Sequence, residues 1–322
     1  MRKIQDKTNL ATSDVIEEIP LACSDELAAV EFWENKLWDG TPQCPHCKST
    51  RVFQFKDAKT GQRNKRFLWK CHGCDRQFTV RVGTVLEESR IPLRHWVYAV
   101  WRMATSKKGV SALEIKRHCQ ISYPSALFLL HRIRRAMTPE RGKSPKLRGM
   151  VECDETYVGG RPRHGWGIGP FKRGFGTLKT PVFGMVERGG RIHRRVIPCV
   201  SGKNLKEAIR ECVDRDATIS TDELQLYRGI GKEFKGGHIT VNHGCKQYVL
   251  GDASTNTAES SFALLKRGMT GIYHAVSKKH LHRYVNEFDF RWNTRNMNDG
   301  ERTVAAVQGA QGKRLDYKTL TE

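Results

Sequence analysis

The sequence predicts an α/β chain whose mixed-sheet domain is preceded by a zinc ribbon and a helical module. Three observations carry that reading. Two Cys-x-x-Cys pairs, Cys44-Pro-His-Cys47 and Cys71-His-Gly-Cys74, stand twenty-three residues apart. Apolar residues between 92 and 150 recur at helical spacing. From Met150 onward, short strand-like runs alternate with helical ones. The expected boundaries are a polar segment and helix over 1–40, a ribbon over 41–90, a helical region over 91–149, the α/β domain over 150–300 and a tail over 301–322.

Charge narrows the class of partner. The 322 residues carry a formal charge of +22, with a pI near 9.8. That excess exceeds what solubility needs and points to a polyanion, best satisfied by nucleic acid. No run approaches the roughly 18–20 apolar residues of a membrane span, and the start, Met1-Arg-Lys-Ile-Gln-Asp-Lys7, has no apolar signal core. The expected location is therefore cytoplasmic and nucleoid-associated. In that compartment the ten cysteines read as metal ligands and reduced thiols rather than disulfides.

Taken in order, residues 1–23 are polar and read as loosely ordered. Ser24 is the expected N-cap of a helix that carries Leu27, Val30, Phe32, Trp33 and Leu37 and stops at Asp39-Gly40. The two knuckles that follow suit four thiolates, Cys44, Cys47, Cys71 and Cys74, around one structural Zn²⁺ with no open position. His46 and His72 are possible substitutes, but the four cysteines suffice. Arg51–Phe55 and Arg66–Lys70 read as the ribbon's strands.

Pro92–Met103 is an apolar, aromatic helix. Ser111–Cys119, a tight turn at Gln120-Ile-Ser122, and Tyr123–Met137 then spell a helix-turn-helix pair. Residues 101–150 hold twelve Lys/Arg against two acids. Arg132, Arg134 and Arg135 are the candidate DNA contacts on the second helix; the competing reading is compensation of the helix dipole on a solvated face.

The α/β domain opens with the strand Val151–Val158. Gly159–Thr180 is a long Gly- and Arg/Lys-rich loop containing Lys172 and Arg173. Strands Pro181–Glu187 and Ile192–Val200 form a hairpin around Arg188-Gly-Gly. Then come the helix Asn204–Val213, the strand Ala217–Asp222, a short helix Glu223–Arg228 and the strand Ile239–Val241. The stretch Asn256–Arg267 starts another helix, with Asn256 as N-cap. Three strands, helix, strand, helix, strand, helix is the order of a ribonuclease-H-like domain. In such a domain Asp154, Asp222 and Glu259 converge from distant sequence.

Acids are disfavoured in strands, yet the first strand carries Glu152, Asp154 and Glu155; breaking a local rule marks a functional site. Converging carboxylates of this kind hold two Mg²⁺ (or Mn²⁺) ions about 3.5–4 Å apart. Glu259 and Lys266 lie two turns apart on one helix face, so Lys266 can neutralise a phosphate beside the metals. Asn256-x-x-Glu259 also has capping-box spacing, which would give Glu259 a purely structural task. Farther on, Ser277–Arg295 reads as a basic helix. Arg267, His274, Lys278 and Lys279 are candidate contacts to the DNA backbone.

Several phrases resemble ISXO-type insertion-sequence transposases: Cys-Pro-His-Cys47, Gly83-Thr-Val, Val151-Glu-Cys-Asp-Glu-Thr-Tyr-Val-Gly-Gly160, Thr221-Asp-Glu223, and Asn256-Thr-Ala-Glu-Ser-Ser-Phe-Ala-Leu-Leu-Lys-Arg267. Gly271-Ile-Tyr-His-Ala-Val-Ser277 and Tyr284–Asn293 extend the match, which spans about residues 25–305. The resemblance implies a DDE-type transposase with Asp154, Asp222 and an acidic or amide third residue. The thirty-six residues between Asp222 and Glu259 are similar to the spacing of the related Merlin group. Some members use asparagine third, so Asn256 stands as a rival to Glu259, which the two-turn interval to Lys266 favours.

The expected activity is binding of an element's terminal inverted repeats followed by metal-dependent strand cleavage and transfer, by a homodimer or higher oligomer. The alternatives are a metal-dependent nuclease or resolvase on the same fold, and a domesticated DNA-binding protein. The presence of all three acids argues against the last.

Overall fold

The computed structural model describes residues 7–140, 142, 144–160, 177–241 and 256–318, with side chains from residue 15 onward. It divides into two compact units: residues 1–138 with 296–322, and residues 139–295. The second unit is thus inserted into the first.

The first unit holds six helices among its described residues: α1 (Lys7–Ser24), α2 (Glu26–Trp38), α3 (Leu93–Thr105), α4 (Ala112–Cys119), α5 (Tyr123–Met137) and, from the far end of the chain, α9 (Asp299–Gln308). For residues 7–23 the first corrects the expectation of a loosely ordered segment. Val15, Ile19 and Ala22 are buried at helical spacing, so a segment that is polar on average still has an apolar stripe. Asp25, not Ser24, caps α2: its carboxylate accepts from Ala28 N at 2.8 Å. Asp39 ends that helix in the left-handed conformation, at φ 47°. Pro92 offers α3 no side-chain cap, and Glu26 supplies one from α2, accepting from Leu93 N (2.7 Å) and Arg94 N (3.2 Å).

Helices α4 and α5 form as the sequence predicts. The Ser111 hydroxyl accepts from Glu114 N, Gln120 closes α4 at φ 54°, and Ser122 caps α5. The segment expected as a tail from residue 301 carries most of a helix. Asn298 and Glu301 form a reciprocal capping box that starts α9, and Thr303, Ala306 and Val307 are buried in the first unit. The ribbon is a three-stranded antiparallel sheet of β1 (Val52–Gln54), β2 (Trp69–Cys71) and β3 (Gln77–Phe78). Val52 pairs with Cys71.

Among its described residues the second unit is built on five strands: β4 (Met150–Val158), β5 (Thr180–Glu187), β6 (Ile192–Val196), β7 (Thr218–Thr221) and β8 (His238–Thr240). Their spatial order is β6-β5-β4-β7-β8. Strand β5 runs antiparallel to β4 and β6, while β7 runs parallel to β4 and β8. Among the described residues the α-helices of this unit are α6 (Gly202–Cys212), α7 (Asn256–Gly268) and α8 (Leu281–Asn293).

Strand alternation sends side chains to two cores. Val151, Cys153, Phe183, Met185 and Ile219 pack with Leu205 and Ile209 of α6 on one face. Val182 packs with Phe262 and Leu265 of α7 and with Val285 and Phe288 of α8 on the other. A buried ion pair ties β6 to both helices of that second face. Arg194 Nη1 meets Asp289 Oδ1 at 2.8 Å, and Arg194 Nη2 donates to Ser261 O at 3.0 Å. Among the described residues no helix is long and apolar enough to cross a membrane.

Candidate active site and zinc centre

Strand pairing brings two distant aspartates together. Glu152 pairs with Ser220, the last bridge between β4 and β7. Two residues on, Asp222 leaves β7 level with Asp154, which is still held by β5 through its pairing with Gly184. Carboxylate oxygens of Asp154, Glu155 and Asp222 lie within 4.8 Å of one another, and all three side chains are half-buried. Asp154 Oδ1 accepts from Glu155 N at 2.7 Å, and Asp222 Oδ1 from Leu224 N at 3.1 Å, so backbone donors orient both aspartates.

Glu155 is the member that sequence reasoning left out of the site. It emerges on the α6 face, where the buried Tyr227 hydroxyl donates to its carboxylate. Burial pushes its pKa up to about 7, and the charges of Asp222 and Asp154 push the same way against the tyrosine's hydrogen bond. The unusual load of acids in β4 was the available signal; the role of Tyr227 had none, because it depends on a contact across seventy-two residues. Three hard oxygen donors around one point, one with its charged form already disfavoured, fit a divalent cation.

The start of α7 differs from the expectation. The helix includes Asn256, and the acceptor for its first donors is Glu152, which takes Thr257 N at 2.9 Å and Ala258 N at 3.1 Å. Asn256 is therefore not the group that receives those two. Glu259 and Lys266 are both exposed on α7, and Glu259 is not a member of the 4.8 Å carboxylate group. Helix α7 itself lies over β5: Phe262 occupies the space where a side chain at Gly184 would stand.

The basic candidates divide. Arg132 and Arg134, at 4% and 1% exposure, are buried, which corrects their assignment as DNA contacts. Arg132 donates to Leu315 O (2.9 Å) and Glu87 O (2.8 Å), so it joins parts of the first unit. Arg135 is exposed, as are Arg267, His274, Lys278 and Lys279. His274 follows one turn of π-helix (Met269–Tyr273) and holds a left-handed φ of 54°, a strained conformation for a residue with a side chain. Lys172 and Arg173 lie outside the described residues.

In the first unit, all four cysteine sulfurs lie within 4.8 Å of one another. Cys44 Sγ is 3.6 Å from Cys74 Sγ, and Cys47 Sγ is 3.5 Å from Cys71 Sγ. Tetrahedral ligation at ~2.3 Å per Zn–S bond would set such separations at ~3.8 Å. The four thiols therefore fit a structural zinc ion. His46 and His72 are not members of the group.

Comparison with known proteins matches the regions that hold both clusters. Residues 24–77 match the profile of a transposase zinc-ribbon domain, and residues 146–293 that of an ISXO2-like transposase domain. The chain is 30% identical over 277 residues to an uncharacterized protein in transposable element ISH50 of Halobacterium salinarum, covering 83% of this chain and 90% of that one. The chain belongs to the ISXO2-like transposase family. A solved structure, a simian T-cell lymphotropic virus intasome in complex with the PP2A regulatory subunit B56 gamma, shares 14% identity with the transposase over 56% of this chain and 62% of that one, at a TM-score of 0.27. Within the transposase, the domain match encloses Asp154, Glu155, Asp222 and Glu259, and the ribbon match ends just after Cys74.

Proposed function

We propose that the protein binds the terminal inverted repeats of an insertion sequence and catalyses DNA strand cleavage and strand transfer on a ribonuclease-H-like domain. The observation that carries this reading is the meeting of Asp154, in the middle of β4, with Asp222, just past the end of the parallel neighbour β7, inside the matched transposase domain. The sheet order β6-β5-β4-β7-β8, with three antiparallel strands (β4, β5, β6) and two parallel additions (β7, β8), supports the fold assignment.

Asp154, Asp222 and Glu155 would hold divalent ions, with Glu259 as the third acid of the DDE set and Asn256 as its rival. When bound, such ions supply an activated hydroxyl nucleophile and stabilise the leaving oxygen. The chain's own residues orient and exclude. Backbone N–H groups of Glu155 and Leu224 fix the two aspartates, and Tyr227 fixes Glu155. Lys266, exposed on α7, pairs with a phosphate near the acids. Arg135 in the first unit and Arg267, His274, Lys278 and Lys279 in the second are exposed groups suited to phosphate contacts. Helices α4 and α5, capped and joined by a tight turn, suit a helix-turn-helix reader of the repeats.

The test is incubation of purified protein with duplexes carrying the element's ends, Mg²⁺ and a plasmid, followed by sequencing of products. Joined ends flanked by plasmid sequence are expected. Hydrolysis without joining would assign a nuclease instead, and binding without either would assign a regulator.

A further inference from the structure

Between the acids of β4 and helix α7 stands one buried carboxylate that the catalytic reading does not use. Glu152 is 0% exposed. It precedes Asp154 by two residues, so both side chains leave the same face of β4. Its Oε2 accepts from Thr257 N (2.9 Å) and Ala258 N (3.1 Å), and its Oε1 from Thr257 Oγ1 (3.1 Å). Arg188, from the turn after β5, donates to Oε1 from Nη2 (3.1 Å) and Nε (3.3 Å). These N–H groups are first-turn donors, which have no partner within the helix and form the positive end of its dipole. Ordinarily a neighbouring Ser, Thr, Asn or Asp takes them. Here they go to a strand more than a hundred residues away, and Glu259 follows Ala258 directly.

We propose that Glu152 is a positioning residue that locks the first turn of α7 to the strand bearing Asp154, and so sets where Glu259 and Lys266 stand relative to the metal-binding acids. This rests on the transposase reading above. The carboxylate is the right group for the task. It can serve several donors at once, it balances Arg188 and the helix dipole, and its burial keeps water from competing for those donors. A glutamine of nearly equal volume has one acceptor oxygen and turns an NH₂ group toward donors, so Glu152→Gln loosens the helix start without opening a cavity.

The full-length, zinc-loaded chain is the material for the test. Amide hydrogen exchange over residues 257–262 is measured in wild type and Glu152→Gln, together with the cleavage kinetics of a duplex carrying the element end at graded Mn²⁺ concentrations. The expected result is roughly tenfold faster exchange confined to the start of α7. A fall in kcat of about 100-fold, with KM for the duplex almost unchanged, should accompany it, since displacement of a catalytic group by about an ångström costs that much. Thr257→Val removes only the hydroxyl bond to Oε1 and should move both readouts the same way by less, which keeps the question answerable if Glu152→Gln folds poorly. Unchanged exchange over 257–262, or faster exchange with unchanged kcat, overturns the proposal. A wild-type protein that cleaves no DNA would sink the transposase reading instead, and exchange would still decide whether Glu152 holds the helix.

Discussion

The ring of Phe262 stands where a methyl group on Gly184 would have to be: a Cβ built there lies 2.7 Å from Cζ and 3.1 Å from Cε1. Gly184 pairs with Asp154 across β4 and β5, so the close approach of α7 occurs beside the first aspartate. Gly184→Ala should therefore lift α7 from the sheet, at an overpacking cost of about 1–3 kcal/mol. Thermal denaturation should show the loss, and cleavage should fall more than end binding. A variant of wild-type stability and activity would mean that the helix does not sit this close.

Glu155 sets a pH dependence. Its folded pKa, about 7, lies above the unfolded carboxylate value of 4.5. Its contribution to stability is then fully present below about 4.5 and is lost as pH rises through about 7. Without added divalent ion, the melting temperature of the second unit should decline across that interval. Glu155→Gln should flatten the decline and weaken Mn²⁺ binding in a calorimetric titration. A wild-type profile in the variant would remove Glu155 from the site.

The third acid is tested by two substitutions. Glu259→Gln should lower cleavage and strand transfer by about 100-fold or more while end binding stays intact. Asn256→Ser should keep substantial activity, because Glu152 already serves the donors of Thr257 and Ala258. The opposite pattern in a gel-based strand-transfer assay would make Asn256 the third residue.

The four clustered thiols make zinc content a test of the ribbon. Cys71, fully buried, also accepts from Gly73 N at 3.2 Å, so Cys71→Ser should release one zinc per chain by metal analysis. End binding should weaken while the second unit keeps its own melting transition. Zinc-free wild-type protein would contradict the assignment.

Buried and exposed arginines of α5 should behave differently. Arg132→Met removes donors from Leu315 O and Glu87 O and should cost about 1–3 kcal/mol of stability. Arg135→Gln should leave stability alone and reduce the salt slope of DNA binding by about one phosphate contact. An unchanged slope for Arg135→Gln would place that face away from DNA.

These contrasts show what the sequence could and could not carry. The end of α4 at Cys119 and the start of α5 at Tyr123 were readable because Gln120 and Ser122 are local signals. The knuckle cysteines were readable because zinc imposes a spacing. Arg132 and Arg134 misled because arginine ordinarily faces water, and the residue that covers Arg132, Leu315, is 183 positions away. The caps of α3 and α7, from Glu26 and Glu152, were likewise invisible, since each comes from another element. Glu155 stood in plain view within an acid-rich strand, but only Tyr227 and Asp222, distant in sequence, give it a task.

Because residues 296–322 belong to the same unit as residues 1–138, the order of synthesis has a consequence. The ribosome delivers the whole of the inserted unit before it delivers α9, whose Thr303 and Val307 are completely buried in the first unit. A nascent or prematurely terminated chain can thus close the unit with the carboxylates while the unit with the ribbon still lacks part of its core. Delivery of α9, rather than of the inserted unit, is the event after which both halves exist together.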